Sequence, residues 1–154
     1  MIKFKKKNIY KILLTLFLAF FSTSILHSQE LYELEAEKIK YENKKDLIIA
    51  EGNAVAKHDN KTIYADRIFY YKDKNIIETI GNSKFEDGNN ILKANQFTYY
   101  VNLKKIIANN NVSLEDSSKN KFSFDYFEFY QDKGFGTGKN LKTRLNDGSY
   151  IEAN

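Results

Sequence analysis

Cysteine is absent from this 154-residue chain, as are proline and tryptophan, and histidine occurs only twice. Without cysteine no disulfide can form, so the domain must hold together by backbone pairing and apolar burial. Two histidines and no cysteine leave almost nothing from which to build a transition-metal site. His27 falls in an N-terminal segment and His58 in a turn cluster. Long apolar runs are also missing. The longest, Ile12–Leu26, reaches about 15 residues, short of the ~20 that a helix needs to cross a bilayer.

A surplus of positive charge is missing too, once its position is considered. The chain carries a net +4, but its first 28 residues hold five lysines and no acid, which leaves 19 basic against 20 acidic residues beyond them. A nucleic-acid-binding surface loses its electrostatic support. The same 28 residues have the layout of a secretory signal. A basic stretch, KFKKKNIYK, precedes an apolar one, ILLTLFLAFF (Ile12–Phe21), and a small-residue region, STSILHSQ. We expect residues 1–28 to be a signal peptide, cleaved after Ser24 or Ser28, with an uncleaved anchor as the alternative, and residues 29–154 to be the folded domain. No cysteine follows the cleavage region, so a lipoprotein is not expected.

Catalytic patterns are lacking as well. There is no G-x-S-x-G, P-loop, H-E-x-x-H or dinucleotide-binding pattern. Asp87-Gly88 and Asp147-Gly148 read as turn dipeptides, and no D-x-D-x-D ladder for calcium occurs. Gly134–Lys139, GFGTGK, looks like a phosphate loop but sits in a strand pattern with no helix after it. Neither an enzyme nor a cofactor or metal is expected.

What is present is a repeat of 29 residues. Ile48, Ile77, Ile106 and Phe135 keep this spacing, as do Ala50, Thr79, Ala108 and Thr137, and Asn53, Asn82, Asn111 and Asn140. Gly52 and Gly81 precede two of these asparagines, while Asn110 and Lys139 precede the others. A second set nearly in step runs through Ala36, Ala65, Ala94 and Phe124, with one added residue in the turn Glu115–Asn120. Each unit alternates with period 2, which predicts β-strands. One predicted face is apolar and mostly small; the opposite face is mixed. In the other strand of each unit, apolar residues fall at offsets 0, 2, 5 and 7, as in Ile63, Ala65, Ile68 and Tyr70. The slip predicts a bulge or corner where the strand passes from one sheet to another. At the Gly-Asn pairs we expect a smooth small-residue wall in the first three units, with a bulge as the alternative, and a different arrangement in the fourth.

The expected fold is all-β: an elongated antiparallel jellyroll or sandwich of stacked repeats, open at its ends. Periodicity leaves open whether the space between the sheets is an apolar slot or a filled core. If it is a slot, its lining is Ile48, Ala50, Ala54, Ile77, Thr79, Phe85, Ile106, Ala108, Val112, Leu114, Phe135 and Leu141. The first strand, with Leu34, Ala36, Ile39 and Tyr41, is the candidate docking edge, because an unpaired strand invites another to add.

The stretches AEKIKY…AEGNAVAK, YADRIFYY…TIGNSKFEDGN and KANQFTYY resemble the OstA-like (organic solvent tolerance) family across essentially the whole domain. The resemblance implies a periplasmic β-jellyroll that moves lipopolysaccharide to the outer membrane. Its cargo would be lipopolysaccharide, with the acyl chains of lipid A in the slot and the phosphates and sugars at the rim near lysines and Arg67. Its partners would be another jellyroll docked edge to edge and, if a barrel follows, a lipoprotein; no nucleic acid is implied. The tail LKTRLNDGSYIEAN looks most like the N-terminal domain of the family's outer-membrane assembly members, with further jellyroll and a barrel expected beyond Asn154. A soluble bridge protein of the same family, or a structural β-solenoid without lipid, are the alternatives.

Overall fold

The computed structural model describes residues 32–153, so the expected signal peptide lies outside the described residues. Among the described residues the regular elements are thirteen strands and three single-turn 3-10 helices. The strands are β1 (Glu33–Glu35), β2 (Lys38–Glu42), β3 (Leu47–His58), β4 (Lys61–Tyr71), β5 (Ile76–Ile80), β6 (Ser83–Asp87) and β7 (Asn90–Ala94). They continue with β8 (Gln96–Tyr100), β9 (Lys105–Glu115), β10 (Lys121–Tyr130), β11 (Phe135–Lys139), β12 (Leu141–Arg144) and β13 (Tyr150–Ala153). All pairings are antiparallel and belong to one sheet folded sharply on itself.

The fold line makes two walls. The first holds β2, the first half of β3, the second half of β4, β5, β8, the first half of β9, the second half of β10, and β11. The second holds β1, the other halves of β3, β4, β9 and β10, and β6, β7, β12 and β13. Strands β3, β4, β9 and β10 thus run from one wall into the other. Among the described residues the outermost strands at each end of the stack, β1 and β2 or β11 and β13, have one neighbour only. The jellyroll is therefore open at its ends.

The fold line explains the Gly-Asn pairs and corrects the smooth wall expected of them. Pairing of β3 with β4 jumps between Glu51↔Arg67 and Ala54↔Ala65, so Gly52 and Asn53 together oppose Asp66 alone. Two residues against one is a β-bulge, and the extra residue bends the strand. Both residues of the pair are left-handed: Gly52 at φ +80°, Asn53 at +46°, Gly81 at +76° and Asn82 at +46°. The third unit keeps the geometry with Asn110 at +62° and Asn111 at +53°. Asparagine adopts this region more readily than other non-glycine residues. The fourth unit differs, as expected: only Asn140 is left-handed, at +56°, and Lys139 is ordinary strand.

Side chains brace the corner. Asn53 Nδ2 donates to Glu37 Oε1 at 2.8 Å, Asn82 Nδ2 donates to Asp66 Oδ2 at 3.0 Å, and Asn140 Nδ2 donates to Asp125. Backbone bonds follow the same line: Glu37 N to Gly52 O, Asp66 N to Gly81 O, Gly81 N to Asn95 O and Asn95 N to Asn110 O, each 2.9–3.1 Å. These bonds satisfy groups that the bulge removes from the regular ladder.

The core lies between the walls. Near the fold line the walls converge, and small buried residues occupy the space: Ala50, Ala54, Ala65, Thr79, Ser83, Ala94 and Ala108. Farther out the gap widens and takes Ile63, Tyr70, Ile77, Phe85, Leu92, Tyr99 and Ile106, all buried. Full burial of such a side chain contributes about 1.5–3 kcal/mol. The small-residue column thus reflects the closed vertex of a wedge. Leu47, which the alternation puts on the mixed outer face, is also buried, at 4% exposure, but outside this cluster.

Candidate functional site

At the N-terminal end the wedge is plugged. Tyr32 is buried, with its ring 5.2 Å from that of His58 on the second wall and 6.1 Å from that of Tyr70 on the first. Through the first two units the inter-wall space is filled by the core. The buried hydroxyls there are committed to the backbone: Thr79 Oγ1 accepts from Phe97 N at 3.0 Å, and Ser83 Oγ donates to Asn95 O at 3.3 Å.

Beyond the second unit the filling fails. A cavity of about 530 Å³ opens between the walls, lined by Phe85, Leu92, Ile106, Leu114, Phe122, Phe127 and Phe129, with Asp87, Asn90, Asp116, Gln131 and Gly134 towards the wedge's mouth. A second cavity of about 380 Å³ lies at the C-terminal end, lined by Leu114, Phe122, Phe124, Phe127, Phe129, Gly136, Thr137, Gly138, Leu141 and Ala153. The two share Leu114, Phe122, Phe127 and Phe129. Phe124 and Phe127 stack with ring centroids 4.7 Å apart, and Phe127 and Phe129 at 5.9 Å. Strand β11 crosses this stack with glycine at its inward positions. A Cβ on Gly138 would collide with the Phe124 ring, and one on Gly136 would lie 3.0 Å from Phe129.

Among the residues expected to line a slot, Phe85, Ile106, Leu114 and Leu141 do border these cavities. Ala50, Ala54, Ile77, Thr79, Ala108 and Val112 are buried within the filled part, and Ile48 packs partly buried against it. Phe135 does not join them. It pairs with Tyr130, beside the inward Phe129↔Gly136 pair, and is 58% exposed. The physical reason is the extra residue in the turn Glu115–Asn120, which displaces β11 by one position and reverses its faces. The inward counterparts of Ile106 and Ala108 are therefore Gly136 and Gly138. The expected lining also left out Phe122, Phe124, Phe127 and Phe129, although the second apolar series runs through them. Their signal was legible: phenylalanine at all four inward offsets of one unit, where other units mix in alanine or isoleucine.

Of the candidate docking edge, Leu34 and Ala36 pack against the core, while Ile39 and Tyr41 are exposed. Tyr41 donates to Asp46. Arg67 lies on the outer face, its Nε 3.2 Å from Glu51 Oε1 and its guanidinium near the Phe69 ring, remote from the mouth. The outer face of the first wall carries one strong ion pair. Lys105 Nζ and Glu128 Oε1 are 2.8 Å apart, and Tyr126 donates to Glu128 Oε2 at 2.6 Å. The hydrogen bond from Lys105, helped by those of Tyr126 and Tyr130, draws the Glu128 carboxyl down to about 2. The Lys105 ammonium is raised by the same pair.

Fold and site together define the class: a stacked-repeat antiparallel jellyroll whose apolar interior is filled at one end and open at the other. The chain belongs to the OstA-like protein family, whose model matches residues 25–137. Among solved structures it is similar to that of LptH, the LptA-homologous periplasmic component of the lipopolysaccharide transport device of Pseudomonas aeruginosa. The match has a TM-score of 0.67 at 9% identity and covers 81% of this chain and 95% of that one. No curated protein sequence matches the chain.

Proposed function

We propose that this chain is a non-catalytic lipopolysaccharide carrier that seats acyl chains of lipid A in the cavities of its third and fourth units. The observation that carries the reading is the pair of phenylalanine-lined spaces between walls that are otherwise closely filled. Membership of the OstA-like family and the likeness to LptH support it. The chemistry is suitable. Each buried methylene contributes ~0.8 kcal/mol, so a 12-carbon chain gains roughly 9 kcal/mol before ordering costs. The rings of Phe122, Phe124, Phe127 and Phe129 offer no polar group to fix the chain's position, so it can slide. Within this reading residues 1–28 direct export, residues 29–154 work in the periplasm at the outer membrane, and a second jellyroll docks on the open strand edges. The tail LKTRLNDGSYIEAN favours the outer-membrane assembly type, LptD, with its lipoprotein partner, over the soluble bridge type, LptA. Coding sequence beyond Asn154 that holds several hundred residues of alternating strands supports LptD, and an early stop refutes it.

The test of the carrier is site-specific photo-crosslinking. A benzophenone amino acid at Leu114 or Phe122 is expected to capture lipopolysaccharide in cells, and the same group at the outward positions Ile80 or Phe135 is not. Capture that is equal at all four positions, or absent at Leu114 and Phe122, refutes the reading.

A further inference from the structure

We infer that the mouth of the larger cavity receives the hydrogen-bond-donating side of an amphiphile's head group, a sugar hydroxyl or an amide N–H, and turns phosphate away. This rests on the carrier reading above and specifies which part of the cargo faces the mouth.

Gln131 and Asp87 come from opposite walls and meet across the mouth, Gln131 Nε2 donating to Asp87 Oδ2 at 2.8 Å. The turn that carries Gln131 is fixed, since its backbone N donates to Lys104 O at 2.9 Å. Gln131 Oε1 is buried and has no hydrogen-bond partner among the described residues. A buried acceptor in that state favours any donor that can reach it. The other polar lining is also acceptor-rich. Asp87 Oδ1 takes a bond from Asn60, while Asn90 Oδ1 is committed to Ser117 N. Asp116 is held ionised, below the usual carboxylate range, by hydrogen bonds from Asn120 and from the backbone of Ser118. Among the described residues no lysine or arginine lines the cavity. A phosphate arriving here meets two carboxylates without a cation, whereas a hydroxyl or amide meets acceptors. Arg67, expected at the rim, is engaged with Glu51 on the outer face.

The experiment compares two probes with the same tail, octyl glucoside and octyl phosphate, titrated below their micelle concentrations into the full chain. Binding is read from amide NMR shifts at Gly134 and at the Gln131 side chain. Octyl glucoside is expected to bind about tenfold more tightly. Asp87→Asn, which keeps the shape and removes the charge, should tighten octyl phosphate about fivefold and change octyl glucoside little. Gln131→Met, which removes the acceptor, should weaken octyl glucoside about fivefold and leave octyl phosphate unmoved. Octyl phosphate binding as tightly as the glucoside to the natural chain overturns the inference, as does a probe ratio that neither variant shifts. If Asp87→Asn loses its spectral dispersion, Gln131→Met decides alone. Binding of neither probe overturns the carrier reading, and this inference with it.

Discussion

Replacing Gly81 with alanine should destabilise the domain far more than the same change at Gly88, although both glycines are left-handed. Gly81 has φ +76° and Gly88 has φ +59°. An L-residue in this region costs about 1 kcal/mol or somewhat more, a term common to both sites. What differs is the surroundings. A Cβ on Gly88 meets nothing within 4 Å, whereas a Cβ on Gly81 lies 2.8 Å from Asp66 Cγ and collides with its Oδ2. The carboxylate must swing away, and doing so breaks the bonds of 3.1 and 3.0 Å that Asn82 Nδ2 donates to it. These bonds are exposed, so their loss adds about 1 kcal/mol, and residual crowding at the corner adds about another. We therefore expect Gly81→Ala to cost about 2–4 kcal/mol and Gly88→Ala about 1 kcal/mol. Urea unfolding followed by far-ultraviolet circular dichroism measures both. In an Asp66→Ala background the carboxylate collision is removed and only the Cβ contact at 3.0 Å remains, so the added cost of Gly81→Ala should fall towards that of Gly88→Ala. Equal costs at the two glycines in the natural background would refute the corner as described.

Two further outcomes follow from the fourth unit and the outer face. Phe127→Ala should cost about 3 kcal/mol, because this ring is 7% exposed and supports both cavities. Phe135→Ala should stay within about 0.5 kcal/mol, and a larger loss in thermal unfolding would contradict its outward position. Glu128 has its folded pKa depressed to about 2 from an ordinary 4.5, so its contribution is present above 4.5 and is lost as pH falls from 4.5 towards 2. The stability difference between the natural chain and Glu128→Gln should therefore shrink across that window; urea midpoints that keep a constant gap from pH 5 to pH 2 would exclude the Lys105–Glu128 pair as its source.

Much of the fold was legible because the jellyroll is made of near-identical rungs. Repetition at 29 residues revealed itself in the Ile48 and Asn53 series, and the slip between Ala65 and Ile68 marked the place where strands change walls. The meaning of Gly52-Asn53 was not legible, since a bulge and a smooth wall keep the same parity on the glycine strand. Ala50 and Ala54 point inward in both cases, and only their convergence on Ala65 and Ile68 shows that they sit at a vertex. The site was less legible than the fold. A lining is defined by the distance between walls, which no single strand encodes. Phe135 was misplaced because one extra residue in a turn reverses β11, and because the fourth unit lacks the bulge's extra residue the parity is restored by Leu141.

By itself the sequence determined the strand period, the corner positions, the absence of any covalent brace, and the family to which the chain belongs. Alternation, turn chemistry and left-handed Gly and Asn act over a few residues, and repetition amplifies them into a readable signal. Tertiary structure alone decided where the interior is filled and where it is open. That outcome depends on how the Tyr32 plug closes one end, how Phe122, Phe124, Phe127 and Phe129 stack against the glycines of β11, and how Gln131 meets Asp87 across the mouth. Each of these joins residues from different strands or opposite walls, and packing across a gap is set by the volumes on both sides together.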